Sequence, residues 1–249
     1  MRSFLVTLWL FVAGAAALTG VLEAFHRLSD FSSDIAHELR TPVSNLMTET
    51  QVALLRQRSA EDYRRIPESN AEEFEHMARM ISDMLLLAKA EHGLVVPSRE
   101  TVHLAAWFLA LFDYYDAVAE EKGLQLTLEG SGEVCADRLM LRRALGNLLS
   151  NAVRHSLADA PVHVAISAGP DRVSIRMTNT GEPIPREYWE RIFDRFFRVD
   201  QARQQSREGS GLGLAISKSI IVAHGGSITA TSKGAVTTFT LELPRAAAA

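Results

Sequence analysis

Residues 31–55 read FSSDIAHELRTPVSNLMTETQVALL, and their periodicity decides how the front half of the chain folds. Apolar residues recur at seven-residue spacing in two rows, Leu28/Ile35 and Leu39/Leu46/Ala53. The steps from Ile35 to Leu39 and on to Leu46 keep one stripe of a helix against a partner. His37 stands two residues from both Ile35 and Leu39. At about 100° per residue it lies roughly opposite that stripe. Glu38 is beside it, and Thr41, one turn on, shares its face. The pattern predicts a rigid bundle helix holding a histidine outward. On spacing alone, a solvated surface histidine explains it as well.

A second helix is predicted from about Pro67 to Glu91, because proline suits a first helical turn. Phe74, Met77, Ile81, Met84 and Ala88 step in alternating threes and fours, a heptad seam. The link Gln57–Arg65 is short and polar, so the two helices should lie antiparallel. One hairpin cannot bury two such seams, whereas dimerising into a four-helix bundle would. Met77, Met80 and Met84 read as core rather than as a copper(I) site. His92-Gly93 ends the helix and Pro97 confirms the break, which sets a hairpin over residues 28–92 and a linker over 93–98.

Behind the linker the periodicity mixes. An apolar helix is predicted from about Leu104 to Glu121. Alternating strands are predicted at Leu124–Leu128, Val162–Ser167, Val173–Asn179, Ser227–Thr231 and Thr237–Leu243. Helices between them point to an α/β sandwich over residues 99–244, with one layer of helices on a mixed sheet, so the whole chain reads as α+β.

Four stretches of this region carry chemistry. Asn147-Leu-Leu-Ser-Asn151-Ala-Val-Arg154-His155 puts two amides four residues apart on one helix face. An amide oxygen suits Mg²⁺ and Arg154 can reach a phosphate, although two solvated asparagines fit the spacing too. Asn179-Thr180-Gly181-Glu182-Pro183-Ile184 is by itself a weak turn signal. Arg191-Ile-Phe193-Asp-Arg195-Phe196-Phe197-Arg198 offers aromatics and arginines, or simply a surface amphipathic helix. Gly209-Ser210-Gly211-Leu212-Gly213-Leu214 precedes an apolar helix, where bare backbone N–H groups and the helix dipole favour a phosphate. No Walker lysine follows, so this is not a P-loop. Gln201–Glu208 is polar and has no large apolar residue, as a lid over a site would be.

Taken together, His37-Glu38-Leu39-Arg40-Thr41-Pro42 and these four stretches resemble, in order, the boxes of sensor histidine kinases of two-component systems. The resemblance covers about Leu28 to Pro244. It implies a Bergerat-type ATPase domain behind a dimerising phosphotransfer hairpin. By that resemblance His37 is the phospho-acceptor, Glu38 the general base and Thr41 the residue that positions a phosphatase water. The ATP-binding set is Asn147, Asn151, Arg154, Asn179, Gly181, Phe193, Arg198, Gly209, Gly211, Leu212 and Gly213, with Asn151 as Mg²⁺ ligand. Asn179 replaces the usual aspartate that contacts the adenine amino group, and it can accept the same hydrogen bond. Pro183 replaces a glycine, and this N-x-G-x-P-I variant resembles the heavy-metal (copper/silver) subfamily. Gyrase- and chaperone-type ATPases share the ATP fold but lack the HELRTP hairpin. The implied partners are a second copy and a response regulator that takes the phosphoryl group on an aspartate. The alternative is a degenerate kinase serving as a dimeric nucleotide-binding or phosphatase module.

Composition excludes more than it selects. The chain has 249 residues and a net charge of −4, so nothing in bulk charge favours direct nucleic-acid binding. The single cysteine, Cys135, excludes an intrachain disulfide framework. Ser3 to Leu22 carries no charge, and twenty residues at about 1.5 Å each span a hydrocarbon core of about 30 Å. A transmembrane helix over residues 3–22 is the expectation, with a cleaved signal peptide as its rival. Cleavage would export the remaining chain away from ATP, so the anchor is preferred. With the resemblance, it implies a bacterial inner-membrane protein whose kinase domains face the cytoplasm. The resemblance also implies a second span and a sensing region, and neither is found in this sequence.

Overall fold

The computed structural model describes residues 32–33, 35–55, 59–199 and 211–246. They fall into two compact units, one up to Arg79 and one from Met80 onward. The segment 3–22 expected to cross a membrane lies outside the described residues. Among the described residues no helix is long and apolar enough to cross one.

The first unit holds helix α1 (35–55) and the opening turns of α2 (Ala60–Glu91). On α1 the predicted stripe turns inward: Pro42 and Ala53 are buried, and Ile35, Leu39 and Leu46 are partly covered. Ser69 Oγ donates to Glu49 Oε2 at 3.3 Å and ties the two helices. α2 begins seven residues earlier than Pro67 suggested, so the proline sits inside the helix rather than in its first turn. Ser59 takes the N-cap position, and its carbonyl accepts the Tyr63 N–H at 3.1 Å. The backbone ladder is thus under way before the proline, which costs one bond within it. The predicted α2 seam also divides. Of its members only Met84 is buried, Met77 and Ala88 are half-covered, and Phe74 stays 59% and Ile81 44% exposed, while Met80 and Leu87, outside the predicted seam, are buried beside Met84. α2 closes at Glu91, where Leu94 N–H bonds back to Lys89 O at 2.9 Å.

The second unit is built on a five-stranded sheet of order β2-β4-β5-β7-β6. Its strands are β2 (Gln125–Gly130), β4 (Pro161–Ala168), β5 (Arg172–Thr180), β6 (Ser227–Lys233) and β7 (Val236–Pro244). β2 and β4 are parallel, because helix α4 (Arg138–His155) crosses between them, and the other neighbours are antiparallel. Alternate residues point to one face: Val162, Val164 and Ile166 on β4, Val173, Ile175 and Met177 on β5, and Phe239, Leu241 and Leu243 on β7. Register sets Ile175 opposite Leu241 and Met177 opposite Phe239. Three helices cover that face: α3 (Leu104–Glu121), α4, and α5 (Gly213–Ala223). α4 buries Leu141, Ala144, Leu145, Leu148, Leu149, Ala152 and Val153, a continuous helical stripe.

The five strands and α3 fall where periodicity put them. A small antiparallel pair, β1 (Glu100–His103) with β3 (Glu133–Ala136), was not foreseen. Each is four residues long, too short for an alternation to register. The last turns of α2 also belong to this unit: Asp83 pairs with Arg143 of α4, and Glu91 pairs with Arg195.

Candidate functional site: an outward histidine and a set of glycine boxes

One candidate site, in the first unit, is a helix face. α1 runs unbroken through the HELRTP stretch, with Pro42 on its buried side. His37, Arg40 and Thr41 are therefore exposed, and Glu38 is half-covered. The opposition of His37 to the apolar stripe, inferred from spacing, holds in three dimensions.

A separate candidate site, in the second unit, assembles around α4. Asp137 caps its start, accepting from Met140 N–H at 3.0 Å and from Ser98 N–H at 3.1 Å. These bonds, the Met140 one first, hold the Asp137 carboxyl below the usual range. The buried His224 ring sits behind it. Its Nε2 accepts the Asp137 N–H at 2.9 Å, and its Nδ1 lies 2.7 Å from Ile220 O, so the start of α4 is bound to the end of α5. At the far end, Lys122 Nζ donates to Val153 O and Arg154 O, a cation where the helix dipole is negative.

The boxes meet along this helix. Asn147 Nδ2 donates to Gly213 O at 3.1 Å, which ties the paired amides to the first residue of α5. The fully buried Ser217 hydroxyl lies 2.9 Å from the same carbonyl and 3.0 Å from Ala144 O. Gly181 pairs with Ser156 just past the C-terminus of α4. A Cβ on Gly181 would come 2.0 Å from His155 O, so only glycine permits this approach. Asn179, only 4% exposed, is held in β5 between Val162 and Thr237.

The aromatic stretch forms short 3₁₀ turns at Arg186–Tyr188 and Arg191–Phe193 rather than a helix. Phe193 is buried, edge-on to Phe239 at 6.3 Å, with the Lys218 ammonium 5.6 Å from its ring. The Arg191 guanidinium stacks near Phe197 at 4.6 Å and Tyr188 at 5.8 Å. Phe196 N–H donates to Gly211 O at 3.2 Å. Gly211 has φ +69°, and a Cβ there would sit 2.8 Å from Phe196 Cα. This clasp holds Gly211 against Phe196. Arg198 is half-buried and Arg154 exposed. Gly209 lies outside the described residues. Leu212 is fully buried, so its side chain is core and only its backbone is available to a ligand.

Asn147 spends its N–H on Gly213, whereas Asn151, half-buried one turn on, makes no side-chain bond to the described residues. An uncommitted amide oxygen fits a hard cation that keeps waters and phosphate ligands. Sequence reasoning missed Ser217, Lys122 and His224. A polar residue inside an otherwise apolar α5 was the available signal for Ser217.

The first unit displays a histidine on a helical face, and the second is a sandwich whose glycine boxes gather on one helix. Residues 27–93 match the His Kinase A (phospho-acceptor) domain, and residues 136–247 match the Histidine kinase-, DNA gyrase B-, and HSP90-like ATPase domain. The chain belongs to the sensor histidine kinase family. It is 45% identical over 223 residues to "Sensor histidine kinase CusS" of Escherichia coli (strain K12), covering 89% of this chain and 46% of that one. It thus spans about half the length of the curated relatives it matches. Among solved structures, Acinetobacter baumannii histidine kinase AdeS superposes with a TM-score of 0.70 at 22% identity, over 84% of this chain and 98% of that one. Histidine kinase ThkA, solved in complex with response regulator protein TrrA, gives 0.67 at 20% identity over 89% and 64%. At these identities the structures speak for the fold.

Proposed function

We propose that this chain is the catalytic core of a two-component sensor kinase that phosphorylates itself on His37 and passes the phosphoryl group to an aspartate of a response regulator. The observation that carries the reading is the bond from Asn147 to Gly213, which joins the paired amides to the glycine turn as one nucleotide cradle. We assign a hairpin over 28–92, a linker over 93–98 and a catalytic domain over 99–244, with residues 3–22 as the inner-membrane anchor.

In this reading the α5 N-terminus and the backbone N–H groups of Gly211 and Gly213 bind the phosphates of ATP. Arg154 and Arg198 compensate phosphate charge. Asn179 accepts from the adenine amino group, with Gly181 close by. Mg²⁺, held through Asn151, would supply charge neutralisation at the phosphates. His37 attacks the γ-phosphorus as a neutral imidazole, and Glu38 orients the ring and takes its proton. Positioning and charge do most of the work, since phosphoryl transfer asks little covalent chemistry of a protein. Thr41, one turn from His37, holds the water that removes the phosphoryl group from the regulator in the reverse activity. The N-x-G-x-P-I box favours a kinase of the heavy-metal type. The hairpin's uncovered apolar stripe, with Phe74 and Ile81, favours a homodimer.

Incubating the full chain in detergent with radiolabelled ATP and Mg²⁺ tests the central step. Acid-labile, alkali-stable label is expected, and it should vanish in His37→Gln while nucleotide still binds. Label that persists in that variant overturns His37 as acceptor, and nucleotide binding without any label overturns the kinase reading.

A further inference from the structure

We infer that Ser217 is a positioning residue for the phosphates of the nucleotide, because it sets where the N-terminus of α5 stands along α4. The inference rests on the ATP-binding reading and adds to it a residue outside the boxes.

The starting observation is a set of three polar ties between two helices. The Asp137 N–H, at the start of α4, donates to His224 Nε2, just past the end of α5, at 2.9 Å. Ser217 Oγ lies 3.0 Å from Ala144 O. Asn147 Nδ2 donates to Gly213 O at 3.1 Å. Seven residues forward along α4, from Asp137 to Ala144, match seven residues back along α5, from His224 to Ser217. Three more forward, to Asn147, match four more back, to Gly213. The two helices therefore lie antiparallel and are tied at successive levels along the whole of α5.

Ser217 is the middle tie, and its single hydrogen has two acceptors within reach. Gly213 O, at 2.9 Å, is one of them. That carbonyl already accepts the Asn147 amide and, in the helix ladder, the Ser217 N–H. Ala144 O has only the ladder bond from within α4. The hydroxyl hydrogen belongs on Ala144 O, so α4 donates to α5 at one level and α5 donates to α4 at the next. Ser217 is fully buried, and it is the one buried polar residue inside α5.

The other buried residues of α5 are Ala215, Ile216, Ile220 and Ile221. Apolar burial is non-directional and resists a slide along the axis weakly over less than one residue's rise of about 1.5 Å. A hydrogen bond is narrow in distance and angle, so it does resist. The phosphate site needs that precision. It is built from the first N–H groups of α5, and where the helix starts decides where they aim. Ser217, one turn into α5 from Gly213, holds that start in register with the α4 face that carries Asn147 and Asn151.

The test reads the phosphate share of nucleotide affinity in the full chain in detergent. A fluorescent ATP analogue is displaced by ATP and, separately, by adenosine, and the ratio of the two dissociation constants is compared between variants. Adenosine occupies the Asn179 end without phosphates, so a general loss of folded protein cancels in the ratio. In Ser217→Ala, ATP should bind about fivefold more weakly, with adenosine close to native. Ile220→Val is the packing control. It takes a methyl group from the same buried helix and spares the ties, so it should lower the melting temperature and keep the native ratio. A native ratio in Ser217→Ala, or an equal change of ratio in Ile220→Val, overturns the positioning role and leaves ATP binding standing. A native chain that binds ATP no better than adenosine overturns the phosphate reading and this inference with it.

Discussion

The ATPase sandwich and the helical hairpin solve the same burial problem to different degrees. In the sandwich, Phe108, Phe239, Leu145 and Ile175 are fully shielded by their own chain. In the hairpin, Leu54 is 81% exposed, and Phe74 and Leu85 are both 59% exposed. A sheet covered on one face by three helices closes a core alone. Two helices have one mutual seam, and every further apolar stripe must find a partner elsewhere. One unit closes its core within the single chain, and the other leaves apolar stripes open.

The comparison can be broken most sharply in the sandwich. Phe239→Ala should destabilise the ATPase unit by about 3–5 kcal/mol, because a fully buried ring leaves a cavity. Thermal unfolding should show the loss in that unit, with subunit exchange of the hairpin near native. A hairpin that falls apart equally would mean the two units are not independently closed. Phe74→Ala is the converse. It should leave the melting of the ATPase unit unchanged and weaken the dimer by about 2–3 kcal/mol, since a ring exposed in one chain is buried only on pairing. An unchanged dissociation constant would remove Phe74 from the interface.

The smallest effect concerns the cap of α4. Asp137→Ala should cost about 1 kcal/mol. The folded carboxyl is held below its ordinary range, chiefly by the Met140 N–H. Its stabilising contribution is therefore complete above the unfolded value of about 4, and it is lost as pH falls through the lowered folded value. Acid titration of the melting temperature should drop less steeply in Asp137→Ala than in the native chain. Parallel curves would assign the cap no such role.

Much of this protein was written in local pattern. The period of Leu39, Leu46 and Ala53 fixed a helix and turned His37 outward. The alternation in Val162–Ser167 and Val173–Asn179 fixed strands. These follow from sequence because a repeat of 3.6 or 2 residues acts on every turn of an element at once. Helix starts were less legible: Pro67 is compatible with a first turn or an interior one, and α2 in fact starts at Ala60. The four-residue strands β1 and β3 gave no period to read.

The boxes were visible as residues but not as a site. Nothing in sequence says that Asn147 spends its amide on Gly213, that Gly211 locks against Phe196, or that Gly181 presses on His155 O. Nor does it say that Leu212, inside the glycine turn, belongs to the core. Those relations join positions far apart along the chain, and only packing decides them, because each depends on the close approach of two backbones. What sequence by itself determined here is which residues carry chemistry and which face of each element they occupy. Tertiary structure decided which of them touch, and which apolar stripe one chain leaves uncovered, because both depend on close approach between elements far apart in sequence.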